Sequence, residues 1–113
     1  MKLFIYKAKL IKIIDGDTVD ALIDLGFNVW VEKRIRLAGI NTPEVRTKDK
    51  IEKEKGFLAK ERLSEMISES NNEFHVISHG VGKYGRCIGE IFINNQSVNE
   101  QLLLEGHAEK YEK

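Results

Sequence analysis

Cysteine, proline and tryptophan are almost missing from this chain, which has one of each in 113 residues: Cys87, Pro43 and Trp30. A single cysteine excludes an internal disulfide and provides no thiolate set for a structural metal; Cys87 is expected to be a small buried strand residue. Trp30 is expected to pack against a sheet or loop. No run approaches the ~20 apolar residues of a membrane-spanning helix. The N-terminal stretch from Met1 to Lys9 is broken by lysines too early for a signal-peptide core, so the chain as given is expected to be soluble and cytoplasmic, unless a leader was removed. Net charge of one sign is lacking too: 18 Lys and Arg balance 18 Asp and Glu, so the whole molecule has no general attraction for polyanions.

What is present is enough for one domain, 1–113, expected to act as a monomer. A chain this long buries roughly two-thirds of its unfolded surface and needs no staples, and 42% hydrophobic with 32% charged residues is ordinary for a soluble fold. Although the total charge is zero, residues 33–50 hold Lys33, Arg34, Arg36, Arg46, Lys48 and Lys50 against only Glu44 and Asp49. A basic rim around one acid suits a phosphate site; a solvated charged loop is the other reading.

Residues 3–14 alternate partially and read as a strand, broken by Asp15-Gly16-Asp17. Thr18 to Leu25 resumes, Gly26-Phe27-Asn28 turns, and Val29 to Leu37 gives a third strand of an antiparallel meander. Residues 44–52 are charged and loop-like. Ala59, Leu63, Met66 and Ile67 then recur at helical spacing in a helix of about 53–70. Glu73 to Ile77 is a fourth strand, His79 to Gly85 a glycine-rich loop, and Cys87 to Ile93 a fifth strand. Ser97 and Glu100 have the spacing of a capping box, opening a helix of about 98–106 that stops at Gly106. The order predicts a mainly β fold, a small curled antiparallel barrel carrying two helices. His75, His79 and His107 have no metal-ligand spacing.

Three segments carry chemistry. Asp15-Gly16-Asp17-Thr18 and Lys83-Tyr84-Gly85-Arg86 flank Arg36-Leu37-Ala38-Gly39-Ile40-Asn41-Thr42-Pro43-Glu44. Singly they are a turn, a hairpin loop and a strand end with a surface acid. Together they supply acids, a carboxamide and two guanidiniums: oxygen ligands for a hard cation, a base for water, and clamps for a phosphate. Lysine would not reproduce the planar, permanently charged fork of arginine. Gly82 and Gly85 would let the Arg86 loop approach a substrate closely.

In these motifs, their order and their intervals, the chain resembles the staphylococcal nuclease-like (thermonuclease) domain across roughly residues 3–111. The resemblance implies an OB-fold five-stranded barrel and a calcium-dependent endonuclease or phosphodiesterase that hydrolyses DNA and RNA to products with 3′-phosphate ends. Carried over, it makes Glu44 the general base and Arg36 and Arg86 the phosphate clamps. Ca2+ would be held by Asp17, Asn41 and the Thr42 carbonyl, with Asp15 acting through water. Lys83, Tyr84 and Tyr111 would contact a terminal phosphate or a base. The family commonly has aspartate where this chain has Asn41, which removes one negative charge and implies weaker calcium binding. The chain ends at Lys113, without the C-terminal helix of some members, so one side of the barrel is expected to be less covered. The alternative is a catalytically weak or inactive nucleic-acid-binding OB-fold module; retention of Arg36, Arg86 and a buried acid at Glu44 argues against it. A protein-interaction barrel has least support.

Overall fold

A computed structural model describes residues 4–82 and 85–111. Three strands lead: β1 (Ile5–Asp15), β2 (Thr18–Asp24) and β3 (Trp30–Leu37), followed by the two-residue β4 (Ile40–Asn41). Helix α1 (Lys50–Ser68) precedes β5 (Glu73–Val81) and β6 (Cys87–Ile93). The short β7 (Gln96–Ser97), helix α2 (Val98–Leu104) and β8 (Glu109–Lys110) complete the order. Strands run β3-β2-β1-β5-β6, and β3 pairs with β6 to close a five-stranded barrel of the OB type. The consecutive ladders are antiparallel, whereas the closing pair is parallel and short, matching Ile35 to Cys87, Arg36 to Ile88 and Leu37 to Gly89.

Closure requires curvature, and bulges supply it. The β1–β2 ladder slips between Leu10 and Lys12 and again between Ile13 and Asp15, and β5–β6 slips between Ser78 and Gly80. Each extra residue bends its strand and steepens the twist. Inside, Val19, Ile35, Leu37 and Ile91 meet Leu63 and Ile67 of α1 and Leu102 of α2, all essentially without solvent contact. The positions expected on the apolar face of α1, Ala59, Leu63, Met66 and Ile67, are the buried ones. A fully buried Leu or Ile contributes roughly 1.5–3 kcal/mol in transfer free energy.

Several boundaries differ from the sequence reading. Helix α1 starts earlier because Asp49, inside the expected loop, is the N-cap and accepts from the Ile51 and Glu52 amides at 3.0 and 3.3 Å. Helix α2 ends at Leu104, two residues before the expected limit. Strand β5 runs through His79, Gly80 and Val81, where a loop was expected, because the bulge lets the ladder with β6 continue to Cys87. Strands β4, β7 and β8 are too short to show alternation. Half of the capping box forms: Glu100 N donates to Ser97 Oγ at 3.2 Å, while Ser97 also pairs with Phe92 in the β6–β7 ladder. Cys87 is half-buried on β6, and Trp30 is exposed with the Lys9 ammonium 5.3 Å from its ring centroid. Trp30 covers little of the sheet because its register on β3 points away from the core. His75 and His79 are exposed on β5. Among the described residues no helix is long and apolar enough to cross a membrane.

Candidate phosphate and metal site

The first two motifs meet because their backbones and carboxylates bond to each other across the end of the barrel. Thr42 N donates to Asp17 Oδ2 at 2.9 Å, Val45 N to Asp15 Oδ1 at 3.3 Å, and Leu37 N to the Asp17 carbonyl at 2.8 Å. Thr18 Oγ1 donates to Asp17 Oδ1 at 2.9 Å, so both oxygens of this buried carboxylate are hydrogen-bonded. Two glycines permit the approach. A Cβ on Gly16 would lie 2.7 Å from Ala59 Cβ and 3.1 Å from the Thr42 side chain. One on Gly56 of α1 would lie 2.7 Å from the Glu44 carbonyl oxygen and 2.8 Å from that of Pro43. The loop bearing Glu44 therefore rests its backbone directly on the helix.

Arg36 projects from β3 into this network. Its Nη1 donates to the carbonyls of Leu37 (3.1 Å) and Ile40 (2.9 Å), and its Nη2 donates to Asn41 Oδ1 at 3.1 Å. Nη2 also stands 3.4 Å from Asp17 Oδ2, and the Tyr111 ring lies 5.5 Å from the guanidinium carbon. Tyr111 is delivered there by the β4–β8 pair, which matches Ile40 to Lys110 and Asn41 to Glu109, and by its own amide donating to Gly39 O at 2.9 Å.

Arg36, Asn41, Gly82, Arg86 and Tyr111 line one cavity of about 390 Å³. Gly82 N donates to the Arg86 carbonyl at 2.7 Å. The Arg86 Nε is buried and finds no hydrogen-bond partner among the described residues, which leaves a buried donor next to the cavity. Asn41, Thr42 and Glu44 line an adjoining groove of about 820 Å³, so Asn41 is the shared wall. Glu44 itself is exposed, which corrects the expectation of a buried acid. It lines the groove from the loop that leads to the helix cap at Asp49. Lys83 and Tyr84 lie outside the described residues.

The donor set has the right chemistry for a hard cation. Asp17, the Asn41 amide oxygen, the Thr42 carbonyl and Asp15 are all oxygens, and two of them already converge on a positively charged nitrogen, that of Arg36. Thr42 Oγ1, buried beside them, has no partner among the described residues. The set is modest in charge: among the described residues no cluster of three or more His, Cys, Asp or Glu could hold a metal.

Sequence reading missed Asn99. Its buried side chain accepts from Ile91 N at 3.1 Å and donates to Ala38 O at 2.9 Å and Gly89 O at 3.4 Å, which fastens the turn after Arg36 to β6 and α2. The available signal was its spacing: Asn99 shares a helical face with Leu102 and Leu103, three and four positions on. Gly16 and Gly56 left no sequence signal beyond their identity.

The sequence signature described as Staphylococcal nuclease homologue matches residues 34–113, a span that includes Arg36, Glu44 and Arg86 and begins after the Asp15-Gly16-Asp17 turn. The chain is 32% identical to an uncharacterized protein of Methanocaldococcus jannaschii, MJ1439, over 94% of this chain and 59% of that protein. It is 36% identical to a probable staphylococcal-like nuclease, CAN1, of Oryza sativa subsp. japonica, over 69% of this chain and 21% of that protein. Identity to the staphylococcal-like nuclease CAN1 of Arabidopsis thaliana is also 36%, over 69% of this chain and 22% of that one. The chain thus spans from about a fifth to under two-thirds of the length of these relatives. With the signature covering most of its length and the barrel it predicts in place, the chain belongs to the staphylococcal nuclease homologue family.

Proposed function

We propose that this protein is a metal-dependent nuclease, a phosphodiesterase that uses Ca2+ to cleave DNA and RNA and leaves 3′-phosphate ends. Family membership supports the nuclease class. The observation that carries the reading is the sharing of one cavity by Arg36 and Arg86, two guanidiniums fifty residues apart in the chain, with Asn41 and Tyr111 beside them.

In this reading the scissile phosphate enters the cavity and exchanges with the contacts Arg36 Nη2 now makes, while Nη1 keeps its hold on the Leu37 and Ile40 carbonyls. Arg86 contributes its Nε, a donor with no hydrogen-bond partner among the described residues. Glu44, on the rim of the adjoining groove, takes a proton from the attacking water. The water oxygen bonds to phosphorus, the bond from phosphorus to the 5′ oxygen breaks, and negative charge grows on that oxygen under Arg86. Asp17, Asn41 and the Thr42 carbonyl would hold calcium, with Asp15 acting through water, and the ion would polarise a phosphoryl oxygen. A positioned base is worth ~10²–10⁴ in rate. Tyr111 offers a ring face to a base next to the cleaved linkage, and Lys83 and Tyr84 would add contacts to a terminal phosphate or base.

Digestion of single-stranded oligonucleotide and plasmid with calcium, repeated with chelator, tests this directly. Calcium-dependent products carrying a 3′-phosphate are expected. Intact substrate under calcium, or chelator-insensitive digestion, removes the proposal.

One observation favours a second reading, a non-cleaving nucleic-acid-binding barrel: the exposed Glu44 stands beside a ligand set with few acids. Binding of the oligonucleotide without any cleavage, under the same calcium, is its signature.

A further inference from the structure

Among the described residues the β3–β6 closure is short on one side of Arg86. Strand β3 pairs with β6 only from Ile35 onward, yet its other edge stays paired with β2 back to Trp30. Beside β3, upstream of Ile35, lies a cleft of about 560 Å³. Among the described residues Glu32, Lys33, Arg34 and Arg86 line it, three cations against one anion. Arg86 also lines the cavity of Arg36, so the two spaces share that residue as a wall.

Lys33 is the informative residue. Along β3 the core-facing register contains Ile35 and Leu37, and Lys33 occupies the same register two residues earlier, opposite the buried Ala21. A lysine in an inward slot would be costly to bury unpaired; here it is exposed, two residues before the first described β3–β6 pair at Ile35. Arg34 is already committed, with its Nε and Nη2 donating to Asp20 at 2.8 and 3.2 Å. No ion pair is made by Lys33 among the described residues. From Lys33 to Arg36 along the strand is roughly 10 Å at the usual β rise.

We infer that the Lys33 cleft is a second phosphate subsite, which holds the phosphate of a neighbouring nucleotide in a single strand continuing past Arg86. The inference rests on the nuclease reading of the Arg36–Arg86 cavity and adds a substrate class to it: a polynucleotide strand in preference to a dinucleotide. Lys33 is a binding residue, separate from the cleavage step.

The test measures binding of a labelled thymidine dinucleotide and octanucleotide by fluorescence anisotropy, with calcium, across a salt series. Full-length Glu44→Gln protein is used to suppress turnover, with Lys33→Ala and, as a control lysine on exposed α1, Lys53→Ala. Lys33→Ala should weaken the octanucleotide several-fold more than the dinucleotide. It should also flatten the slope of log affinity against log salt by about 0.7, one single-strand phosphate contact. Lys33→Arg should restore most of both. An unchanged length ratio and slope, or an equal loss in Lys53→Ala, overturns the subsite. Calcium-dependent digestion by the wild type with no Lys33 effect means the subsite alone fails. A Lys33 effect in a protein that never cleaves means the nuclease reading fails and the subsite stands.

Discussion

Two rungs of the β2–β3 ladder, separated by the Val19–Ile35 rung, carry an arginine near an aspartate, and they behave oppositely. On the Asp20–Arg34 rung the two groups satisfy each other through two parallel hydrogen bonds, which hold the Asp20 carboxyl below its ordinary value of 3.8 and raise Arg34. Two rungs along, Arg36 faces Thr18, and its guanidinium spreads over two carbonyls and an amide oxygen, with Asp17 at a looser 3.4 Å. The first pair is closed and turned toward solvent, with the Arg34 side chain 47% exposed; the second is 17% exposed and beside a cavity. A charge bound bidentately to its neighbour has little left for a ligand. A charge shared among several weaker acceptors can exchange them for a phosphate.

The largest expected effect separates the rungs. Arg36→Ala should cut cleavage by about 2.7–4 kcal/mol of transition-state stabilisation, the scale for losing one preorganised donor, measured as kcat/KM on single-stranded DNA with an unchanged circular-dichroism spectrum. Glu44→Gln and Arg86→Ala should fall in the same range. Wild-type cleavage by Arg36→Ala would mean its contacts are structural, like those of Arg34. Asn41→Asp should add charge beside Arg36 and tighten calcium; a calorimetric titration giving equal or weaker affinity removes Asn41 from the ligand set.

A smaller effect tests what holds Glu44 against the Arg36 rung. Gly56→Ala gains roughly 0.5–1 kcal/mol of helix propensity but drives a methyl into two backbone carbonyls, an overpacking cost of about 1–3 kcal/mol. The clash should win, lowering the melting temperature and moving Glu44; a stabilised, fully active variant would show that the loop yields freely. Arg34→Ala, by contrast, should leave the thermal unfolding curve nearly unchanged, as for other solvent-exposed ion pairs.

Smallest is a pH effect on a second closed pair. Arg62 Nε and Nη2 donate to Glu105 at 2.6 and 3.0 Å, linking α1 to the end of α2, and with Gln101 they lower Glu105 from 4.5 to about 2. Its folded value lies below its unfolded one. The contribution is therefore complete above about pH 4.5 and lost as pH falls toward 2. Arg62→Ala should flatten the stability profile in that acid window, and an unchanged profile there would remove the pair from the stability of the helix contact.

The fold was legible to an unequal degree. Alternation located β1, β2, β3 and β6, and the 3.6-residue spacing of Ala59, Leu63 and Ile67 located α1, because these are local periodicities set by burial on one face. Asp49 as N-cap was hidden in a charged stretch. The β4–β8 pair has two residues a side, too few to repeat. The site was legible as chemistry: Arg36, Glu44, Asp17 and Arg86 are the residue types that phosphate and a hard cation require. Its electrostatic detail was not, since Arg36's partnership with Asn41 and Asp17 depends on a hydrogen bond from Thr42 to Asp17, 25 residues apart.

The sequence by itself determined the family, the barrel with two helices and the identity of the groups that could act on a phosphate. Tertiary structure alone decided that Glu44 stands on an exposed rim, that Arg36 is held by carbonyls and an amide, and that Lys33 faces an open cleft. The reason is physical. Periodicity records which face of an element is buried, whereas these outcomes depend on where the β3–β6 closure stops and where Gly16 and Gly56 let distant backbones touch, which no local pattern contains.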